Sequence, residues 1–310
     1  MTSEMTPPPT SHLGPATEAA VARSDTPAGA LQRERRRPRL GSLRRNRLAT
    51  IGLAIALVAV GVAVFTPLVA IHSPTAISAR DALQPLSVSH PMGTDNLGRD
   101  VWSRVAYGVR MSVFVAGSSI AAAALIGIVL GLLGGYFRGW LDEFIMRSMD
   151  VLYAFPDLLL ALALVATFGT GLPGLITAIA IGRIPGFARV TRAAVLSIRE
   201  NEYIEAARSI GLRDWQIIVR HVLPNGIAPI IVMVSISLAL AILVEASLSF
   251  LGLGIQPPTP SLGGLLKDAL GYMDRAPWMA VFPGLTIAAI VFALNLLGDG
   301  LRDVLDPNLR

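Results

Sequence analysis

Long apolar segments constrain the fold of this chain more than any other feature. A membrane-spanning helix needs about 20 predominantly apolar residues, and in lipid its backbone polar groups must be paired within the segment. Six segments approach or exceed that length, at roughly 48–71, 112–134, 151–168, 172–190, 226–251 and 280–298. The sequence therefore predicts an all-α membrane protein with about six transmembrane helices.

Composition supports this class and excludes others. The chain is 53% hydrophobic and only 15% charged, which is too apolar for an ordinary soluble domain. It has no cysteine, so disulfide frameworks, thiolate metal sites and cysteine nucleophiles are excluded. The net charge of +5 is explained by arginines that flank membrane spans. We therefore expect membrane lipid, and no nucleic acid, as a partner.

The order of segments predicts a simple domain organisation. Residues 1–47 are expected to form a disordered, Arg-rich cytoplasmic tail, because residues 1 to about 30 are rich in Pro, Ala, Ser and Thr without apolar periodicity and Arg33–Arg47 contains eight arginines. After them we expect a first transmembrane helix at 48–71, an extracytoplasmic loop at 72–111 and a core domain with five transmembrane helices at 112–310. Most of the 26 Lys and Arg residues then lie on the side of the N-terminus. Both termini are therefore predicted to be cytoplasmic.

A polar stretch, Glu205–Asn225, lies between two apolar segments. Its apolar residues recur at a helical period, which predicts two short amphipathic helices. Gly211 is expected to adopt positive φ and end the first helix, Asp214 to cap the second, and Pro224 to stop it. The two apolar stripes are Tyr203, Ala206, Ala207 and Ile210, and then Trp215, Ile218, Val219, Val222 and Leu223.

Two interpretations of this stretch are open from its residues alone. The helices can lie flat on the lipid interface, or they can contact a soluble protein. The glutamates of residues 200–205 disfavour an anionic lipid surface, and Ala206 and Ala207 beside Gly211 make a small-residue surface suited to close protein contact.

The stretch resembles the cytoplasmic coupling motif of ATP-binding-cassette (ABC) importer permeases, in which Glu-Ala-Ala is followed by Gly and then by Leu-Pro. The corresponding residues are Glu205, Ala206, Ala207, Gly211, Leu223 and Pro224. The resemblance implies docking onto an ATPase subunit, with Glu205 at the polar edge of the contact and Gly211 at the bend. His221 departs from the pattern, which often has isoleucine there.

Further segments resemble the second membrane subunit of dipeptide, oligopeptide and nickel permeases. They are His90–Ser112, Glu245–Leu266, Ala276–Gly284 and Asn295–Pro307. The resemblance implies the type I ABC importer permease fold, in a bacterial plasma membrane. It also implies four partners: a homologous second permease, ABC ATPase subunits, an extracytoplasmic substrate-binding protein and a peptide substrate.

The expected function is thus that of a permease subunit of an ATP-driven importer for di- or oligopeptides. Import of nickel, another metal chelate or haem by the same machinery is an alternative. An ion-gradient-driven secondary transporter is a second alternative, although it predicts inverted repeats and interrupted helices, and no such repeat is evident.

No catalytic or cofactor site is expected on this chain. A phosphate-binding loop ends in Gly-Lys-Ser/Thr, whereas Lys267, the only lysine, lies between Leu266 and Asp268. ATP and magnesium are therefore expected on partner ATPase subunits, and the chain is not expected to be an enzyme. The four histidines are far apart in sequence, so no metal site is predicted.

Polar and small residues in three other places are candidates for structural or functional roles. Glu245 lies inside an apolar span, where it either lines the translocation pathway or makes a structural contact between helices, with Arg183 as a candidate partner. Glycines at every fourth position of the second span predict close helix packing; they are Gly127, Gly131 and Gly135. A charged external cluster is expected to serve structure or protein docking rather than catalysis; it contains Asp95, Arg99 and Asp100.

Overall fold

The computed structural model describes residues 47–305, so the predicted tail lies outside the described residues except for Arg47. Within this range the regular elements are helices, with one isolated bridge between Thr94 and Asp100. The all-α class is therefore confirmed. The helices are α1 Arg47–Val64, α2 Thr66–Val69, α3 Val101–Phe137, α4 Gly139–Tyr153, α5 Asp157–Phe168, α6 Leu172–Arg199, α7 Glu202–Ser209, α8 Asp214–Ile217, α9 Leu223–Phe250, α10 Leu262–Ala269 and α11 Trp278–Leu305.

Four helices in the described range are long and apolar enough to cross a membrane: α1, α3, α8 continued into α9, and α11. The pair α4 and α5 makes a fifth if it is counted as one bent span. The predicted span at 172–190 lies in α6, which does not meet this criterion. Its apolar sequence is interrupted by Arg183 and Arg189, which lower its hydropathy.

Two predicted spans have different bounds in the structure. The span expected from residue 112 belongs to a helix that begins at Val101, because the Asp100 side chain caps it by accepting a hydrogen bond from the Ser103 backbone N–H. The span expected at 151–168 is broken, and the axes of α4 and α5 differ by 93°. Pro156, which directly precedes α5, accounts for this break since it cannot continue the helical hydrogen-bond pattern.

The most extensive helix contact in the described range joins α3 and α6. The glycines of α3 face α6 and leave no room for a side chain: a Cβ on Gly131 would lie 2.5 Å from the Ala188 carbonyl oxygen. A Cβ on Gly127 would lie 2.5 Å from the Cβ of Phe187, and one on Gly135 would lie 2.9 Å from that of Val195. The prediction of close packing along this face is therefore confirmed.

The remaining long helices complete the core around this pair. The helix α9 packs against α3, α6 and α11, while α1 packs against α11 and α3. The largest fully buried side chains of this core include Phe187 and Leu175 of α6 and Leu248 of α9. The C-terminal end of α6 is connected to the N-terminal end of α9 by α7 and α8, which carry the polar stretch singled out in the sequence.

Gly131→Leu should separate α3 from α6, because the new side chain meets backbone atoms that cannot move independently. We expect a loss of stability of about 3 kcal/mol or more, at the upper end of the range for overpacked cores. The measurement is the thermal unfolding of the purified protein in detergent. Gly117→Leu is the matched control, since a Cβ at Gly117 of the same helix meets no atom within 4 Å. Equal unfolding temperatures for the two variants would contradict the packing assigned to this face.

Candidate functional site

The polar stretch folds into two short helices that join at Gly211. Gly211 has a φ of +81°, and its N–H donates to the Arg208 carbonyl oxygen over 2.9 Å. The Leu212 N–H donates to the Ala207 carbonyl oxygen over 3.2 Å, which closes the end of α7. The predicted bend at Gly211 is confirmed, and its positive φ explains why glycine suits this position.

One face of the helix pair packs under the ends of α3 and α6. Its buried side chains Ile204, Ala207 and Ile217 join Tyr136 of α3, Val195 of α6 and Val222 in one small apolar cluster. The predicted apolar stripes were therefore partly wrong: Ile204 and Ile217 are fully buried, whereas Ala206, Ile210 and Trp215 are exposed. Periodicity identified the helices but not their rotation, because apolar residues occur on two faces.

The opposite face exposes a second set of apolar side chains. Ile210 is 79% exposed, Trp215 is 57% exposed and Val219 is 53% exposed. Glu205 is exposed beside them in the first turn of α7, and its carboxylate has no ion pair within residues 47–305. An apolar patch of this kind, bordered by an unpaired carboxylate, is suited to binding another protein.

Tyr136 at the end of α3 connects the helix pair to the membrane helices. Its hydroxyl donates to Asp214 Oδ1 over 2.6 Å, and its carbonyl oxygen accepts a hydrogen bond from Arg199 at the end of α6. The Arg208 guanidinium lies 5.3 Å from the centre of its ring. Asp214 was expected to be the N-cap of the second helix, which is wrong: its carboxylate is used by Tyr136, and Arg213 precedes the helix.

Leu223 and Pro224 lie in the first turn of α9, so Pro224 does not stop a helix as expected. The chain remains helical from Asp214 to Phe250. A π-helical turn at Ile218–Val222 makes this possible, and the Leu223 N–H donates five residues back to Ile218. This wider turn precedes the position where proline has no N–H to donate, so the missing bond is accommodated.

Glu245 is fully buried at the contact between α9 and α3. Its Oε2 accepts a hydrogen bond from the Ser112 hydroxyl over 2.7 Å, and its Oε1 accepts one from the Ser249 hydroxyl over 2.9 Å. Arg183 was considered as its partner, but Arg183 pairs with Asp157 at 2.7 Å. The structure therefore places Glu245 in a contact between helices. Its partners are serine hydroxyl groups, which a search for apolar periodicity does not identify.

The charged cluster at the start of α3 organises its own loop. Asp95 accepts hydrogen bonds from the N–H groups of Leu97 and Arg99, and it pairs with Arg99 Nε at 2.6 Å. Asp100 caps α3 and also accepts from the Ser103 hydroxyl over 2.6 Å. Sequence analysis missed that Arg104, four residues after Asp100, and Asp268 join this cluster. Asp268 is 164 residues from Arg104 and becomes its neighbour only through the fold.

Two histidines that are separated in sequence are close in the structure. The rings of His72 and His90 have centroids 4.8 Å apart, and His90 Nδ1 lies 2.9 Å from Asp100 Oδ1. Both Asp100 oxygens already have hydrogen-bond partners, so we assign this group to the start of α3. The absence of a metal site stays a prediction.

Comparisons with known proteins agree with this geometry. Residues 127–310 match the family model described as binding-protein-dependent transport system inner membrane component. Residues 40–85 match the N-terminal TM domain of oligopeptide transport permease C. Among solved structures, an inward-facing MetNI methionine ABC transporter has a TM-score of 0.56 at 20% identity, covering 64% of this chain and 95% of that chain. At that identity the similarity concerns the fold, which is the type I ABC importer permease fold.

Two relatives show the similarity at sequence level. The dipeptide transport system permease protein DppC of Alkalihalophilus pseudofirmus is 42% identical over 268 residues, which are 86% of this chain and 88% of the relative. The glutathione transport system permease protein GsiD of Pectobacterium atrosepticum is 49% identical over 224 residues, which are 72% of this chain and 74% of the relative. With more than half of its length matched by the family model, the chain belongs to the inner membrane components of binding-protein-dependent transport systems.

Proposed function

We propose that this chain is a peptide-importing permease subunit whose α7–α8 pair docks onto a cytoplasmic ATPase. The observation that carries the proposal is the two-sided helix pair. One side is packed under α3 and α6, and the other exposes Ile210, Trp215 and Val219. Mechanical coupling between an ATPase and the membrane helices requires a surface that packs against those helices on one side and is exposed to the ATPase on the other.

The partners follow from what the chain contains. Its sequence has no phosphate-binding loop, so the ATPase with its ATP and magnesium is a separate subunit. The excess of arginine on the side of α7 and α8 favours a cytoplasmic position for this pair and both termini. A second permease completes the pathway, and an extracytoplasmic binding protein delivers the cargo on the opposite side.

Short peptides are the proposed cargo. The relatives are named for transport of dipeptides, peptides and glutathione, which are all short molecules with amide bonds and free carboxylates. The names of these relatives do not mention nickel or haem, so peptide import is favoured over the alternatives by the same machinery.

Coupling uses the connections at Tyr136 and in the helix that runs from Asp214 to Phe250. When the ATPase moves the exposed face, the Tyr136–Asp214 hydrogen bond and the buried cluster transmit the movement to α3 and α6. The uninterrupted helix transmits it to α9. Alternating access requires two packings of these helices, and the ATPase changes which one is favoured.

Trp215→Ala should weaken ATPase binding without unfolding the chain, because Trp215 is an exposed aromatic side chain at the centre of the patch. Loss of such a contact residue costs about 2 kcal/mol or more of binding energy. The measurement is the amount of ATPase subunit that co-purifies with the tagged permease. Trp140→Ala is the matched control, since Trp140 is 79% exposed but lies outside α7 and α8. Full ATPase retention by the Trp215 variant would contradict this docking surface.

Tyr136→Phe should leave ATPase binding intact and reduce coupling, because it removes only the hydrogen bond to Asp214. The loss of a hydrogen bond to a charged group is worth about 1.5–3 kcal/mol. We expect peptide uptake per ATP hydrolysed to fall several-fold in reconstituted liposomes. Asp214→Ala in the Tyr136→Phe background should add little, since both changes remove the same contact. An unchanged uptake-to-hydrolysis ratio would exclude this role.

A further inference from the structure

A polar cavity of about 250 Å³ lies where the start of α3 meets the outer end of α9, the 252–261 segment and α10. Its lining includes Arg99, Arg104, Lys267 and Asp268. Three larger cavities within residues 47–305 are lined mainly by apolar residues. The predicted topology puts this charged cavity on the extracytoplasmic side, where cargo arrives.

The cations in this cavity are not fully neutralised. Asp95 is paired with Arg99 at 2.6 Å, and Asp268 lies 3.4 Å from Arg104 and 3.7 Å from Arg99. The side-chain ammonium of Lys267 makes no ion pair with an acidic residue between 47 and 305. Two carboxylates therefore face three cations, and the cavity keeps a net positive charge.

Arg104 is the most buried of these cations, and its donors are only weakly used. Its side chain is 5% exposed, and its Nε has no hydrogen-bond partner within the described chain, with the nearest carboxylate oxygen of Asp95 at 3.5 Å. Its two other contacts are also long, at 3.3 Å to the Pro74 carbonyl oxygen and 3.4 Å to Asp268. A buried guanidinium with weakly used donors favours an additional acceptor that can take two hydrogen bonds.

Gly252 makes the space for the third cation. A Cβ on Gly252 would lie 2.6 Å from Lys267 Nζ, so the ammonium group lies close to the Gly252 backbone at the cavity. Gly252 also has a φ of +85°, which disfavours other residues there. The exposed Lys267 and the buried Arg104 both line this one cavity.

We propose that this cavity binds the free C-terminal carboxylate of a short peptide, with Arg104 and Lys267 as its donors. A carboxylate supplies the negative charge and the two acceptor oxygens that the cavity lacks. The cavity is smaller than the roughly 300–1,000 Å³ of sites that enclose whole ligands, so it holds the terminal group and leaves the rest of the peptide outside. This inference rests on the proposed peptide-import function.

The test measures peptide binding to the purified transporter complex in nanodiscs, without the extracytoplasmic binding protein. Equilibrium dialysis compares radiolabelled dialanine with dialanine amide, which lacks the terminal charge. We expect dialanine to bind at least about tenfold more tightly than the amide, the difference produced by one charged hydrogen-bond partner.

Variants assign this difference to the cavity. Lys267→Gln should weaken dialanine binding about tenfold and leave the amide unaffected, while Lys267→Arg should restore most of the binding because it keeps the charge. Arg275→Gln is the matched control, since Arg275 is an exposed cation of the same external region that does not line the cavity. It should bind dialanine like the unmodified complex.

Three results would overturn the inference. They are equal binding of dialanine and its amide, an unchanged dialanine affinity in Lys267→Gln, and a Lys267→Gln defect confined to docking of the binding protein. The last result would assign the cavity to an acidic side chain of that protein. ATP-dependent uptake by the same complex separates the two proposals: uptake without carboxylate discrimination refutes the cavity alone, and absence of uptake with any cognate ATPase refutes the import function.

Discussion

The contact between α3 and α6 depends on the absence of side chains from one face of α3. Gly127, Gly131 and Gly135 bring the two backbones so close that a Cβ at any of them would lie within 3 Å of an atom of α6. Such a contact has little freedom to slide or tilt, since protein interiors resist small changes of volume. The direction in which α6 leaves the membrane core is therefore fixed by α3.

That direction determines where the α7–α8 pair lies. The end of α6 leads directly into α7, and the end of α3 supplies Tyr136, which holds Asp214 at the start of α8. Ile204 and Ile217 fill the space below, so the helix pair is attached at both ends and along its length. The exposed patch is therefore part of a unit that includes α3 and α6, and a force applied to it is transmitted rather than absorbed locally.

Local sequence chemistry predicted some of these features and could not predict others. The bend at Gly211 and the glycine face of α3 were predictable, because glycine is the residue that most readily adopts positive φ and permits close backbone contact. The partners of Asp214 and Glu245 were not, because Tyr136 and Ser112 are distant in sequence and become neighbours only through helix packing. The prediction that Pro224 ends a helix was wrong, because a π-helical turn before it lets the helix continue.

The helix α9 takes part in three separate sites. Its N-terminal end continues from α8, Glu245 contacts Ser112 of α3 further along, and Ser249 near its C-terminal end lines the charged cavity. Ser249 also donates to Glu245, so the cavity wall and the contact between α9 and α3 share a hydrogen bond. Under the proposed import function, if the two packings of alternating access differ in the position of α9, a carboxylate in the cavity and an ATPase on the α7–α8 pair each favour one of them. The proposal then requires, by thermodynamic linkage, that each binding event changes the equilibrium of the other by the same free energy.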